Sequence, residues 1–91
     1  MGIVLNDNRV KDVAAYMPLA KAFAEDTKTE KGCIEMNVGV DHKVPGRVIF
    51  VSKWETKEDF MNSIDGPAFQ KHIPMMGQYY ISGQDIFLEE C

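Results

Sequence analysis

The chain has 91 residues, with 10 Lys plus Arg against 14 Asp plus Glu, for a formal charge of -4. A single domain of this length buries only about 60–65% of the surface its unfolded chain exposes, so its core is modest. The 45% hydrophobic fraction argues against disorder, the acidic balance gives no footprint for DNA or RNA, and no apolar run approaches the ~18 residues of a membrane span.

Residues 2–10 read as a first strand with apolar groups Ile3, Val4, Leu5 and Val10 on both parities, so it is edge-like or only partly regular. Residues 12–29 have helical period, with Tyr16, Leu19, Ala20, Phe23, Ala24 and Thr27 on one face. Pro18 lacks an N–H, so the helix either starts near Met17 or kinks there. Gly32 then reads as its stop. Residues 33–41 alternate, with Ile34, Met36, Val38 and Val40 on one side and Glu35, Asn37, Gly39 and Asp41 on the other. After a loop with Val44-Pro45-Gly46, residues 47–54 are apolar on both faces and belong in the middle of a sheet, paired with the preceding strand as a hairpin.

Thr56-Lys57-Glu58-Asp59 resembles a capping box opening a short helix whose apolar side is Phe60, Met61 and Ile64. Pro67 opens another short helix, ending near Pro74. Met75–Gly83 reads as turns and Gln84–Glu90 as a last strand. The order is βαββαβ, an α+β ferredoxin-like fold: one domain over 1–91, a four-stranded antiparallel sheet, and helices on one face. The other sheet face then needs a cover, and a homodimer is the economical answer. Any active site is expected on that uncovered face.

Glu30-Lys31-Gly32-Cys33, Trp54-Glu55-Thr56-Lys57-Glu58 and Pro67-Ala68-Phe69 resemble, in order and spacing, the antibiotic biosynthesis monooxygenase domain, which includes small quinol monooxygenase-like proteins. The resemblance implies a dimeric α/β barrel and oxygenation of a small aromatic molecule without metal or cofactor. The family's Glu-x-Trp is Ser52-Lys53-Trp54 here, and its two common histidine places hold Ser63 and Ala68. In the anthrone-oxidising branch, a Trp, an Asn four residues earlier and a Tyr six later line the pocket. This chain keeps Trp54 and has Phe50 and Phe60, neither of which can donate a hydrogen bond. The haem-degrading branch is similar in using an Asn on the first strand and an iron-ligating His, near Asn6 or Asn8 and His72.

The resulting expectations are His72 as base, Asn6 and Asn8 orienting oxygen atoms, and Trp54, Phe50, Phe60 and Glu35 around an aromatic substrate. Each has a structural counterpart: Trp54 closing the core, His72 solvated at a helix end, Asn6 and Asn8 protecting an edge strand. Tyr79, Tyr80, Met75 and Met76 either cover a cavity or pack. Cys33, Cys91, His42 and His72 have no metal-site spacing, and no phosphate-binding glycine loop or nucleophile elbow is present. Two cysteines make no disulfide framework, and Asn6-Asp7-Asn8 cuts short any signal peptide, so a reducing cytoplasm is the expected compartment. The alternatives to oxygenation are haem binding at His72, or a barrel that binds a small molecule without chemistry.

Overall fold

A computed structural model describes residues 1–90; Cys91 lies outside the described residues. Four strands, β1 (Gly2–Val10), β2 (Cys33–Val40), β3 (Arg47–Trp54) and β4 (Tyr80–Glu89), form one antiparallel sheet in the order β2-β3-β1-β4. Helices α1 (Val13–Thr27), α2 (Lys57–Ser63) and α3 (Pro67–Met76) pack on one face. This is the expected ferredoxin-like arrangement, with three helices. Among the described residues no helix is long and apolar enough to cross a membrane.

β1 is not an edge strand. It pairs with β3 on one side and β4 on the other, so Val4 and Val10 face the helices while Ile3 and Leu5 face away. Apolar residues on both parities reflect an inner strand with two faces to fill. The core joins Val10, Val48, Phe50 and Met36 of the sheet to Tyr16, Ala20, Ala24 and Met76 of the helices.

α1 starts at Val13 and runs through Pro18, because the Asp12 side chain caps it by accepting from the Ala15 N–H at 3.1 Å. It ends at Thr27, before Gly32, in successive turns closed by Glu30 N–H to Thr27 C=O. A bulge between Cys33 and Glu35 breaks the expected alternation, so Ile34 is exposed and does not share the buried side of Met36. Thr56 caps α2 as expected, accepting from the Asp59 N–H at 3.0 Å. α3 continues two residues past Pro74, and β4 begins at Tyr80 where turns were expected.

The face without helices presents Ile3, Leu5, Ile49, Val51, Ile86 and Leu88, with Val51 and Leu88 exposed. At one end of this face Arg47 holds Asp7 through two hydrogen bonds of 2.9 and 2.7 Å and Asp41 at 3.1 Å. The guanidinium keeps the Asp7 carboxyl below its ordinary range; at Asp41 the Lys43 N–H acts first and Arg47 second. Asp26 is likewise lowered, chiefly by its contact with His72. Carboxyls that bind protons less tightly folded than unfolded stabilise the fold above the ordinary carboxylate range, about pH 4, and lose that contribution as pH falls through the folded values. Urea midpoints, followed by Trp54 fluorescence, should therefore fall on acidification below about pH 4, and fall less steeply in Asp7→Asn.

Candidate active site

A cavity of about 410 Å³ lies between the sheet and the helices, within the about 300–1,000 Å³ range of small-molecule sites. It is on the helix-covered face, whereas a site was expected on the uncovered one, where a second pocket is lined by Asn37, Gly39, Ile49 and Val51 among others. The sheet turns its even-numbered β1 residues to the helices, and a short residue at Gly83 leaves space above β4.

The floor is made by Asn6 and Asn8 of β1, Phe50 and Trp54 of β3, and Met36 of β2. Phe23, Phe60, Phe69 and Ile73 bound it from the helices, so most of the wall is apolar. Phe23 is the centre of the aromatic packing, edge-on to Phe50 at 5.7 Å and to Phe69 at 6.3 Å between ring centroids. Trp54 is fully buried and edge-on to Phe60 at 5.8 Å. Its indole N–H donates to Ser52 Oγ at 2.9 Å. The serine that replaces the family acid thus satisfies a buried donor instead of presenting a charge. Trp54 closes the core and walls the cavity at once.

One polar cluster spans β1 and β4. Asn6 and Asp85 are direct partners in the sheet register, and the Asn6 amide donates to Asp85 Oδ1 at 2.7 Å. Asn8, Tyr16 and Tyr80 line the same cavity, whose exposed members include Tyr80, Gly77 and Asp85. A Cβ at position 83 would collide with both Asn8 Oδ1 and the Tyr80 hydroxyl, so the glycine leaves the room that these two groups occupy. Burial pushes the Tyr16 phenol up to about 12, a neighbouring Asn8 side chain only partly offsetting it. Tyr16 is thus a neutral donor at physiological pH.

A second polar cluster comes from the α1–β2 turn and the α2–α3 junction. Glu30 Oε1 accepts from the Ala68 N–H at 3.1 Å. Gly66 offers no side-chain cap to α3, and the Glu30 carboxylate fills that role from another element. Ser63 and Thr27 also line the cavity. Their hydroxyls donate to their own helices, Ser63 to Phe60 C=O at 2.6 Å and Thr27 to Phe23 C=O at 2.7 Å.

Of the expected site residues, Asn6, Asn8, Trp54, Phe50 and Phe60 come together around the cavity. His72 does not join them. Its Nε2 contacts Asp26 Oδ2 of α1, beside Lys71, and its ring packs edge-on against Phe23 at 6.1 Å. The histidine ties α3 to α1 behind the cavity wall, so its imidazole is not among the groups that line the cavity. Glu35 is also displaced. It pairs with Lys53 in the register and points to the face without helices, the side opposite Met36 that strand alternation gives it. Tyr79 packs on Tyr16 at 6.4 Å, whereas Tyr80 reaches the cavity. Among the described residues no three His, Cys, Asp or Glu side chains gather as a metal site.

The cavity-lining polar residues not singled out from sequence are Asp85, Tyr16 and Glu30, whereas Tyr80 was expected either to cover a cavity or to pack. Parity alone marks Asp85: in Asp85-Ile86-Phe87-Leu88 it falls on the side of Phe87, across from Val4 and Asn6.

An α+β sandwich of this topology, holding an apolar cavity with two polar clusters under its helices, belongs to the ferredoxin-like class of folds. The model of the antibiotic biosynthesis monooxygenase family matches residues 1–74, and the chain belongs to that family. The crystal structure of an antibiotic biosynthesis monooxygenase superposes with a TM-score of 0.88 at 20% identity, covering 100% of this chain and 99% of its own. A conserved protein from Methanosarcina mazei gives 0.87 at 22% identity, covering 99% of this chain and 92% of its own. A cofactor-independent oxygenase from Streptomyces nogalater gives 0.84 at 11% identity, covering 98% and 91%. No curated protein matches the sequence.

Proposed function

We propose that the protein is a cofactor-independent monooxygenase that binds an electron-rich phenol, hydroquinone or anthrone in the cavity beneath its helices. The observation that carries this reading is the pairing of an aromatic, mostly apolar cavity with the Asn6–Asp85 and Asn8–Tyr80 groups at one side. Family membership supplies the reaction class.

Asp85 takes the role first given to His72. Its carboxylate, fixed by the Asn6 amide, accepts the proton leaving the substrate hydroxyl or ring CH₂. The transfer moves one negative charge from the protein to the substrate and creates none. The new anion is met by neutral donors, the Asn8 amide and the Tyr16 and Tyr80 hydroxyls, which stabilise it without an added cation. The electron-rich anion then reduces O₂ itself; for an anthrone, the CH₂ becomes C=O and the second oxygen atom leaves as water. Phe23, Phe50, Trp54 and Phe60 hold the rings and exclude solvent.

A second copy covering the apolar strip of Ile3, Leu5, Ile49, Val51, Ile86 and Leu88 belongs to the same proposal. The test combines two measurements on the purified metal-free protein. O₂ uptake with a hydroquinone or anthrone should exceed that of a heat-treated sample, and light scattering should give twice the chain mass. Uptake equal to the heat-treated sample across a panel of such substrates overturns the enzymatic reading; a monomeric mass overturns the dimer.

A further inference from the structure

The cavity wall has a charge asymmetry that bears on what it admits. Two carboxylates, Asp85 and Glu30, line it, and none of its lining residues among those described is Lys, Arg or His. Several basic residues of the neighbouring elements are engaged elsewhere. Arg47 holds Asp7 and Asp41 on the opposite sheet face, Lys53 contacts Glu90, and Lys71 and His72 both contact Asp26. Asp85 has an uncharged partner, the Asn6 amide, so its charge remains uncompensated at the cavity. Glu30 is partly offset by the N-terminus of α3 through the Ala68 N–H.

The hydrogen-bonding capacity of the second cluster points the same way. Ser63 and Thr27 have committed their only protons to helix carbonyls, and Glu30 in its ionised form has none to give. That cluster offers oxygen lone pairs alone. A ligand group placed there must donate. A carboxylate, sulfonate or phosphate placed there would find no side-chain donor and would face the like charge of Glu30 beside an apolar wall.

We propose that this cavity selects aromatic ligands that carry hydrogen-bond donors and no negative charge: neutral polyhydroxylated aromatics or amine-bearing ones, with carboxylated aromatics rejected by Asp85 and Glu30. This deepens the proposed function and rests on its placement of the ligand in this cavity. It also agrees with the proton transfer to Asp85, since a ligand already anionic would put a second charge beside the first before any proton moved.

The test is equilibrium dialysis of the full chain at neutral pH with three naphthalenes of one scaffold: a naphthol, the corresponding hydroxynaphthoate, and the corresponding aminomethyl naphthol. The naphthol and the ammonium form should be retained about tenfold or more over the carboxylate, a difference of one decade in affinity. Asp85→Asn and Glu30→Gln should each narrow that ratio. Glu30→Gln keeps an acceptor oxygen for the Ala68 N–H, so it separates charge from capping. Carboxylate retention equal to that of the naphthol, a ratio unmoved in both variants, or retention of none of the three overturns the proposal. O₂ uptake with a naphthalene hydroquinone and its carboxylated analogue separates the two readings. Selective binding without uptake leaves the selectivity standing and overturns oxygenation. Equal turnover of both hydroquinones does the reverse.

Discussion

Asp85→Asn should lower O₂ uptake with a hydroquinone or anthrone by about 10²–10⁴-fold, the usual contribution of a positioned general base. The substitution preserves side-chain shape and leaves a carbonyl oxygen for the Asn6 amide, so the fold and the β1–β4 pairing should remain. His72→Ala is the matched control. His72 touches Asp26 and the edge of Phe23 outside the cavity, so its loss should weaken the α1–α3 contact and lower the thermal midpoint while turnover changes far less. Initial rates and circular-dichroism melts of both variants decide the matter. Full turnover in Asp85→Asn together with loss in a folded His72→Ala would return the base assignment to the histidine.

Trp54→Ala is expected to cost about 3–5 kcal/mol, as large aromatic truncations in cores do. The residue is fully buried between the sheet and Phe60, so little can collapse into the space without moving the cavity wall. At roughly 4–8 °C per kcal/mol for a domain of this size, the variant should melt at least about 12 °C lower. Trp54→Phe should cost less, about 1–3 kcal/mol, because the ring contact survives while the indole donor to Ser52 is lost. Circular dichroism reads both without relying on the missing indole. A melting point within a few degrees of the parent for Trp54→Ala would show that Trp54 contributes little to packing.

The architecture was legible because each element announces itself locally. The Thr56 cap, the Pro67 start and the doubly apolar run at 48–51 depend on neighbours in sequence, and all three appear as expected. What failed depends on partners distant in the chain. β1 looked like an edge because its two parities are both apolar, a pattern equally produced by strands on either side. The bulge at Ile34 exists only relative to β3. Pro18 and Pro74 did not delimit their helices: the Asp12 cap nucleates α1 ahead of its proline, and α3 runs two residues beyond its own.

The site shows the same division. Asn6 and Asn8 were identified by spacing on one strand, and Trp54, Phe50 and Phe60 by the family pattern. Asp85 stands 79 residues from Asn6, and Tyr80 and Asp85 both fall beyond the stretch that the family model matches. His72 was attractive as a nearly aligned histidine, and only the packing of α3 on α1 shows that its ring is spent on Asp26. Ser52, taken as a missing acid, is the acceptor for the buried indole.

β4 has one strand neighbour, β1, and carries both Asp85 and Tyr80. Strands tethered on one side open locally more readily than those inside a sheet, at a free energy below that of global unfolding. The Asp85–Tyr80 end of the cavity therefore lies on an edge strand, while Phe50 and Trp54 belong to the inner strand β3. A ligand that bridges the two ends couples them. Occupancy should then slow amide exchange along β4.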